Sequence, residues 1–436
     1  MKKIVLVLII AAGFHSYLLA GEPAVKELAL TVESAVEMAL KYYPSVKQAV
    51  FDREAAEARL TQKYAACWPA LDVEASFARL EPDPPFNFPG LGTFQLYPED
   101  NYDIHAGFRY TIFDLGKTGS LIGLSKEMLE QSGNALELSK ALISYQTVQL
   151  FYGVIFLGQQ VEVQQKEIDS LTEYMEQTRK KVKFGSATDY EVLTMQVKVE
   201  EAKNAKADYE NSLNKTILQL KKNIGFDGSL KLEHKFLREA VDINEKVFIE
   251  TALRQRAEFL MAKKSRDIAA AQLGVAETSD NPSLVVGGSW GFKNGYLPVL
   301  SDFQNNWVLS AGLKIPLFDG FRTANMAAEA KAALASAEFK LQDVKETVST
   351  EIRQAVMDVK TGFDKLKAAD LHVKLAEEAM SQARVRFDNG VITNLDLINA
   401  ETSLARARLF YSQAQYAYII SVYSLKRSTG EKIWKE

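Results

Sequence analysis

The residues that could do acid–base, nucleophilic or metal chemistry in this sequence are few and scattered. The four histidines, His15, His105, His234 and His372, show no metal-ligand spacing and no serine–histidine or cysteine–histidine arrangement. The single cysteine, Cys67, can form no disulfide within the chain. We therefore predict no catalytic site, no metal site and no cofactor.

The most regularly spaced charged residues lie in four segments of about ten residues, where they alternate with apolar side chains. Successive residues of a β-strand point to opposite sides, so each segment would have one apolar and one polar or small-residue face. That pattern is typical of strands in an outer-membrane barrel, with the polar face toward the lumen. The segments are 69–79, 102–112, 282–293 and 305–316. The predicted lumen residues are Asp72, Glu74, Asp103, Arg109, Lys293 and Lys314.

A soluble sheet packed on a core would alternate in the same way. Against that reading, the neighbouring segments offer no such core, and aromatic residues lie toward the strand ends, as in a barrel. Four strands cannot close a barrel, which takes about eight, and unpaired strand edges cannot face lipid. The chain must therefore oligomerise, as a dimer with about eight strands or a trimer with about twelve. The aromatic residues are Trp68, Tyr102, Trp290, Phe292 and Trp307.

Very long helices must carry these strands. Proline is absent from 99–281 and 317–436, and strong helix formers dominate both stretches. One helix is predicted from Gly116 to Phe184, about 100 Å long, and Gly185 and Gly390 are predicted to end the long helices. Large and small residues alternate in heptads, which predicts coiled-coil packing of helical hairpins. The heptad residues are Leu397, Leu404, Tyr411, Tyr418 and Leu425, with Ala400, Ala407, Ala414 and Ser421 between them.

The sequence also repeats itself. Phe113-Asp114 recurs as Phe318-Asp319, 205 residues later, and the glycines at 185 and 225 recur at the same spacing. Upstream the spacing is 213, as between Pro69 and Pro282, so a length change of eight residues (213 − 205) follows, and we place it in the loop 80–101. We divide the chain into repeats at 21–230, with a hairpin over 116–225, and at 231–436, with a hairpin over 320–430. The fold class is mainly α with a membrane β portion and duplicated halves.

The N-terminus predicts export. Two lysines, an apolar run and the small-residue end Leu18-Leu19-Ala20 indicate a signal peptide over 1–20. No later run of about 18 apolar residues is visible, so we predict no transmembrane helix in the mature chain. The net charge of −4 carries no nucleic-acid signal.

Taken together, these features resemble the outer-membrane efflux proteins of the TolC type, over essentially the whole mature chain. The resemblance implies a homotrimer, a shared twelve-stranded barrel in outer-membrane lipid, and an α-helical tunnel of about 100 Å across the periplasm. It also implies docking to an inner-membrane pump through a periplasmic adaptor, with the turns at Gly185 and Gly390 as candidate adaptor contacts. The matching motifs are Phe113-Asp114-Leu115-Gly116, Leu317-Phe318-Asp319-Gly320, Gly185-x5-Glu191-Val192-Leu193, Gly390-x5-Asp396-Leu397-Ile398, Leu220-Lys221-Lys222-x-x-Gly225 and Leu425-Lys426-Arg427-x-x-Gly430.

In that family the periplasmic mouth closes through links among a tyrosine, an arginine and acidic residues, with rings of aspartate. By position, the acids match Glu191 and Asp396, the second ring aspartate falls on Asn399, the tyrosine on Phe387 and the arginine on Ile392. The polar lock is absent, so we expect closure to rest more on apolar contact. Glu191 and Asp396 would also favour the positive end of a helix dipole, and both roles can hold together.

The sequence is compatible with three functions. A small-molecule efflux duct and a protein-export duct of a type I secretion system share one passive conduit, because the pump chooses the cargo. A soluble periplasmic coiled-coil scaffold would explain the helices but not the four two-faced strands.

Overall fold

The computed structural model describes residues 27–434, apart from 82–85, 91, 96, 235, 237 and 238. The predicted signal peptide, 1–20, lies outside the described residues. The first half contains β1 (Glu27–Leu30), α1 (Val32–Tyr42), α2 (Pro44–Tyr64), β2 (Ala70–Arg79), β3 (Phe86–Phe88), β4 (Gly92–Phe94), β5 (Asp100–Phe113), α3 (Lys117–Lys183) and α4 (Asp189–Ile224). β6 (Ser229–Leu232) follows α4, and the second half contains α5 (Glu245–Gln255), α6 (Ala257–Glu277), β7 (Ser283–Lys293), β8 (Gln304–Lys314), α7 (Arg322–Asp388) and α8 (Asn394–Thr429).

The two halves match helix by helix. α1 and α5 have 11 residues each, α2 and α6 have 21, α3 and α7 have 67, and α4 and α8 have 36. The first two pairs start 213 residues apart and the last two 205 apart. The duplication is therefore confirmed. The eight-residue difference lies between the strands of each half. By the two spacings, 80–99, which carries the small β3–β4 hairpin, corresponds to 293–304, so 20 residues correspond to 12 (20 − 12 = 8).

The four predicted strands form one antiparallel sheet in the order β2-β5-β7-β8. Their observed bounds differ from the predicted ones by one or two residues. A second, two-stranded sheet pairs β1 with β6 in parallel. Because β6 pairs with β1 of the first half, we propose to place the division between the repeats after Leu232 rather than after residue 230.

The long helices form two hairpins, α3–α4 and α7–α8, that turn at glycines with a left-handed backbone. Gly185 has φ 74° and Gly390 has φ 72°, a conformation that costs glycine little. The predicted heptad residues of α8 point inward, since Leu397, Leu404 and Tyr418 are all buried. The helices bury three clusters of side chains, two around the mid-length of the hairpins and one near their tips.

One stretch of α3 is apolar enough to cross a membrane by length and composition. Length and composition alone do not make this helix a membrane span, so the prediction of no transmembrane helix in the mature chain stays a prediction. α3 contributes Val148, Phe151 and Tyr152 to a buried cluster that also contains residues of α1 and the end of α4. We ascribe the apolar character of this helix to that packing, because composition alone does not separate a core helix from a membrane span.

Candidate functional site

The sheet has one polar face, and its register brings the six predicted lumen residues together there. Cross-strand partners share a face, and Glu74 pairs with His105, Asp103 with Lys293, and Arg109 with Gly287. Asp72 and Glu74 alternate on β2 with apolar residues, and Lys314 closes the set on β8, opposite Ser283. The structure thus places all six side chains on one side of one sheet.

The other face of the sheet is apolar and exposed. Leu71 is 79% exposed and Leu309 70%. Trp290 lies opposite Trp307 in the β7–β8 register, toward the end of the sheet away from the helices. A large exposed apolar face of this kind marks a site of interaction with another protein or with a membrane. On the strands of an outer-membrane barrel, the outward apolar face contacts lipid.

A network of ion pairs and hydrogen bonds crosses the polar face, and it was not predicted. Lys293 Nζ lies 3.6 Å from Asp103 Oδ2, and the other oxygen of Asp103 contacts His105 Nδ1. His105 Nε2 lies 2.9 Å from Asn306 Oδ1, and Asn306 donates to the Tyr296 hydroxyl over 2.8 Å. The network joins β5 to β8 across β7. It could not be read from any one strand, because it depends on the register of three.

Gly291 makes this network possible. It stands between His105 and Asn306 in the cross-strand row. A Cβ atom at Gly291 would lie 2.7 Å from the His105 Cα and closer still to the Ile104 carbonyl oxygen. The imidazole therefore crosses the sheet over a position that only glycine can occupy without moving backbone.

At the far ends of the hairpins, Glu191 and Asp396 occupy equivalent places in two capping boxes. Glu191 Oε2 accepts hydrogen bonds from the Thr188 N–H (2.7 Å) and hydroxyl (3.2 Å). Asp396 Oδ2 accepts from the Thr393 N–H (3.0 Å) and hydroxyl (2.7 Å). These bonds satisfy N–H groups that have no partner within the helix. The hydroxyl and the N–H of Thr393 hold the pKa of Asp396 below its usual range, so it is ionised at neutral pH.

The other three predicted gate residues differ in their surroundings. Asn399 is exposed on α8, and Ile392 is half-buried in the turn between α7 and α8. Phe387 is only 3% exposed and packs in the tip cluster of its own chain, with its ring 6.4 Å from that of Tyr174 in an edge-on arrangement. Its contacts in this structure are therefore within one chain.

Three contacts near the tips join the first hairpin to the second, and sequence reasoning missed all of them. Lys181 Nζ lies 3.8 Å from the centroid of the Phe387 ring and donates to the Phe387 carbonyl over 3.4 Å. The Thr178 hydroxyl donates to Asn394 Oδ1 over 3.3 Å. Arg384 and Glu173 form an ion pair at 3.0 Å. Lys181 belongs to the basic run Arg179-Lys180-Lys181 on α3, and a short basic run usually forms a solvated helix face, but this lysine points to the second hairpin.

A model of the family described as "Outer membrane efflux protein" matches residues 35–225 and 248–431. The chain is 21% identical to the outer membrane protein TolC of Vibrio cholerae, over 89% of this chain and 87% of that protein. It is also 21% identical to the alkaline protease secretion protein AprF of Pseudomonas aeruginosa, over 65% of this chain and 60% of that protein.

Solved structures agree on the fold. The CmeC outer membrane channel of Campylobacter jejuni matches with a TM-score of 0.80 and 20% identity, over 92% of this chain and 86% of that one. VceC of Vibrio cholerae matches with a TM-score of 0.77 and 20% identity, over 92% and 96%. With both matched ranges spanning the paired hairpins and the two-faced sheet, the chain belongs to the outer membrane efflux protein family.

Proposed function

We propose that this protein is a passive outer-membrane exit duct for small molecules, built as a homotrimer and supplied by an inner-membrane pump through a periplasmic adaptor. The observation that carries the proposal is the open, two-faced sheet at the end of helices about 100 Å long. One chain supplies four strands with two free edges, and three chains would supply about twelve, enough to close a water-filled barrel. The helical hairpins would continue that conduit through the periplasm.

A protein-export duct is the second candidate. One relative carries the name alkaline protease secretion protein, and the chain matches 60% of its length. A passive conduit serves either cargo, so the two candidates differ in the pump. Deleting the gene and measuring both the retention of small toxic compounds and the secretion of proteases would separate them.

The hairpin ends support docking to an adaptor. Around the turns at Gly185 and Gly390, large apolar side chains are exposed, and Phe184 is 86% exposed. Val391 and Leu395 belong to the same exposed set in the second hairpin. Apolar side chains presented at a helix end suit a helical partner. A soluble scaffold could use the same tips, but it would have no use for the apolar face of the sheet.

Assembly gives the first test. A lone chain would expose the edges of β2 and β8 to hydrocarbon, where unpaired backbone groups cost several kcal/mol each. We expect mass measurement in mild detergent to give the mass of a trimer. No monomer with an intact sheet should be observed when the protein is diluted. A folded monomer would overturn the proposed duct, whereas a dimer would overturn only the threefold symmetry.

The two acids give the second test. In a ring assembly, Asp396 from each copy would approach the axis near the periplasmic mouth and favour cations there. Asp396→Asn removes the charge but keeps an oxygen that can accept from Thr393, while Asp396→Ala removes both. We expect both variants to lower cation selectivity in planar-bilayer recordings, by a similar amount.

The comparison of the two variants separates charge from capping. Should Asp396→Asn keep wild-type selectivity while Asp396→Ala alone alters the channel, Asp396 would act only as a cap. The equivalent variant Glu191→Gln, in the capping box of the first hairpin, should lower cation selectivity in the same way if both acids line the mouth.

We further propose that contacts of Phe387 and Lys181 hold the tips together where the family has a polar lock. Apolar and cation–π contacts depend less on salt than exposed ion pairs do. Introducing tyrosine at 387 and arginine at 392 is expected to tighten closure, which would appear as a lower open probability in the same recordings.

A further inference from the structure

The two halves of the chain have equivalent helices, but these helices are not equally covered. α6 packs against both α3 and α7, whereas α2 packs against α3 and has no comparable contact with α7 in the described part of the chain. The exposure follows this difference. Most of α6 is buried or half-buried, while most of α2 is exposed, including Phe51 at 65%. One contact that the second half makes is therefore missing from the first.

The missing contact has a template inside the chain, the packing of α6 on α3. Lys264 of α6 forms ion pairs with Glu127 at 2.7 Å and Glu130 at 2.5 Å on α3. Beside them, Gln131 donates to the Ser265 hydroxyl over 3.0 Å. The hydrogen bonds that Lys264 donates to the two glutamates raise the pKa of its ammonium group, so the cluster stays charged at neutral pH.

The two repeat spacings identify the residues of α2 and α7 that correspond to this α6–α3 contact. A shift of −213 takes Lys264 of α6 to Phe51 of α2, and a shift of +205 takes Glu127 and Glu130 of α3 to Ala332 and Ala335 of α7. Both alanines are exposed. A charged cluster in one copy of the contact thus corresponds to a phenylalanine facing two alanines in the other. These residue types fit as a large side chain in a shallow apolar hole.

The edge strands of the sheet also correspond, through the repeat, to a pairing seen within the chain. Within the chain, β5 pairs with β7, so its translated counterpart is β8 against β2. β2 and β8 are the two edges of the sheet and cannot meet within one chain, because β5 and β7 lie between them. The in-chain pairing of Arg109 with Gly287 becomes Lys314 opposite Glu74.

Charge complementarity supports that register independently. Lys314 and Glu74 both lie on the polar face of the sheet, and neither forms an ion pair among the described residues of one chain. Opposite charges directly across a strand pair are stabilising, and like charges are not. A shift by one residue would place Lys314 opposite an apolar side chain on the other face.

We propose that the surface of one copy formed by α7 and β8 receives α2 and β2 of a second copy of this chain. In this interface Phe51 packs between Ala332 and Ala335, and Lys314 lies opposite Glu74. The inference rests on the proposed assembly of several copies and assigns the residues and register of its interface. The contact is head-to-tail, and its repetition closes a ring when the rotation between copies is a whole fraction of a turn, as the proposed closed barrel requires.

The residue types also keep the two versions of the contact apart. If α2 of a second copy took the place of α6 on α3, Phe51 would face Glu127 and Glu130. If α6 took the place of α2 on α7, Lys264 would face two alanines with no carboxylate. Mismatches of this kind select one arrangement over another. The charged version therefore marks the contact within a chain and the apolar version the contact between chains.

Disulfide formation tests the strand register in the full-length protein, after Cys67→Ala removes the native thiol. We expect Glu74→Cys with Lys314→Cys to oxidise into a covalent ring that runs as one high-mass band without reductant. Within one chain the two positions lie on strands three spacings (about 14 Å) apart. They are also offset by eight residues along the sheet (314 − 306), because Asn306 lies in the cross-strand row of Glu74, so no disulfide can form within a chain. The matched control is Ser76→Cys with Lys314→Cys, a diagonal pair about 7–8 Å apart that should stay reduced.

Charge exchange tests the helix contact. Phe51→Lys should lower the temperature at which the oligomer dissociates in detergent, because the ammonium would face two alanines. Adding Ala332→Glu and Ala335→Glu copies the in-chain cluster and should restore that temperature. Phe184→Lys, at the exposed hairpin tip, should leave it unchanged.

The outcomes distinguish this inference from the proposed duct. An oligomer of normal mass that cross-links only through the diagonal pair, or in which the triple variant is less stable than Phe51→Lys, would overturn the interface and leave the duct standing. A folded monomer would overturn both.

Discussion

Leu309→Arg is expected to destabilise the folded sheet by about 2–4 kcal/mol, the cost of a guanidinium near the midplane of a bilayer. Leu309 lies at the middle of β8, between Gln304 and Lys314, and belongs to the exposed apolar face. There it would have neither water nor a carboxylate to contact. Reversible urea unfolding in lipid vesicles, followed by tryptophan fluorescence, measures the difference.

The neighbouring residue supplies the control. Val308 is also exposed, but it points to the polar face, in the cross-strand row that contains Ser289, Gly107 and Asp72. In a water-filled lumen, Val308→Arg should cost less than about 1 kcal/mol, as a surface substitution does. Equal destabilisation by the two variants would mean that the faces do not differ in their surroundings, and the barrel would be rejected.

Gly291→Ala is expected to destabilise the sheet by about 3 kcal/mol or more, at the upper end of overpacking effects. The added methyl group would meet the backbone of β5 at Ile104 and His105. Backbone in a paired strand cannot rotate aside as a side chain can. We expect a large loss of folded protein in the same urea assay, together with loss of the His105–Asn306 hydrogen bond.

Gly312→Ala controls for the substitution itself. Gly312 lies on the adjacent strand, on the same face of the sheet, and a Cβ atom there would meet nothing within 4 Å. Replacing it should be neutral or slightly stabilising, since alanine loses less conformational freedom than glycine on folding. If both glycine variants behaved alike, close approach of β5 to β7 at Gly291 would not be the cause.

Local sequence patterns were sufficient to predict the long helices and the strands, and to assign strand residues to one face of the sheet or the other. The absence of proline and the abundance of helix-forming residues predicted a long helix ending at Phe184, and α3 ends at Lys183. This prediction was possible because helix propensity and proline act on the local backbone. Alternation along a strand assigned residues such as Asp72 and Lys314 to one face, since the side-chain period of a strand is two whatever its neighbours. The duplication was visible as two constant spacings.

Contacts between distant segments could not be predicted in this way. The link from His105 to Asn306 spans 201 residues and depends on the pairing of three strands. Lys181 reads as one more lysine of a basic run, and only the packing of α3 on the second hairpin turns it onto Phe387. Composition alone does not classify α3, because a core helix and a membrane span can have the same composition.

The internal repeat shows most clearly which properties follow from the sequence and which only from the tertiary structure. The spacings of 213 and 205 state which residues correspond, and they do so without coordinates. Whether corresponding helices are equally covered depends on which halves meet, and only the folded chain shows α6 packed on two long helices and α2 on one. The physical reason is that residue correspondence follows from position along the chain, whereas burial depends on which segments lie next to each other in space. Sequence position does not specify those neighbours.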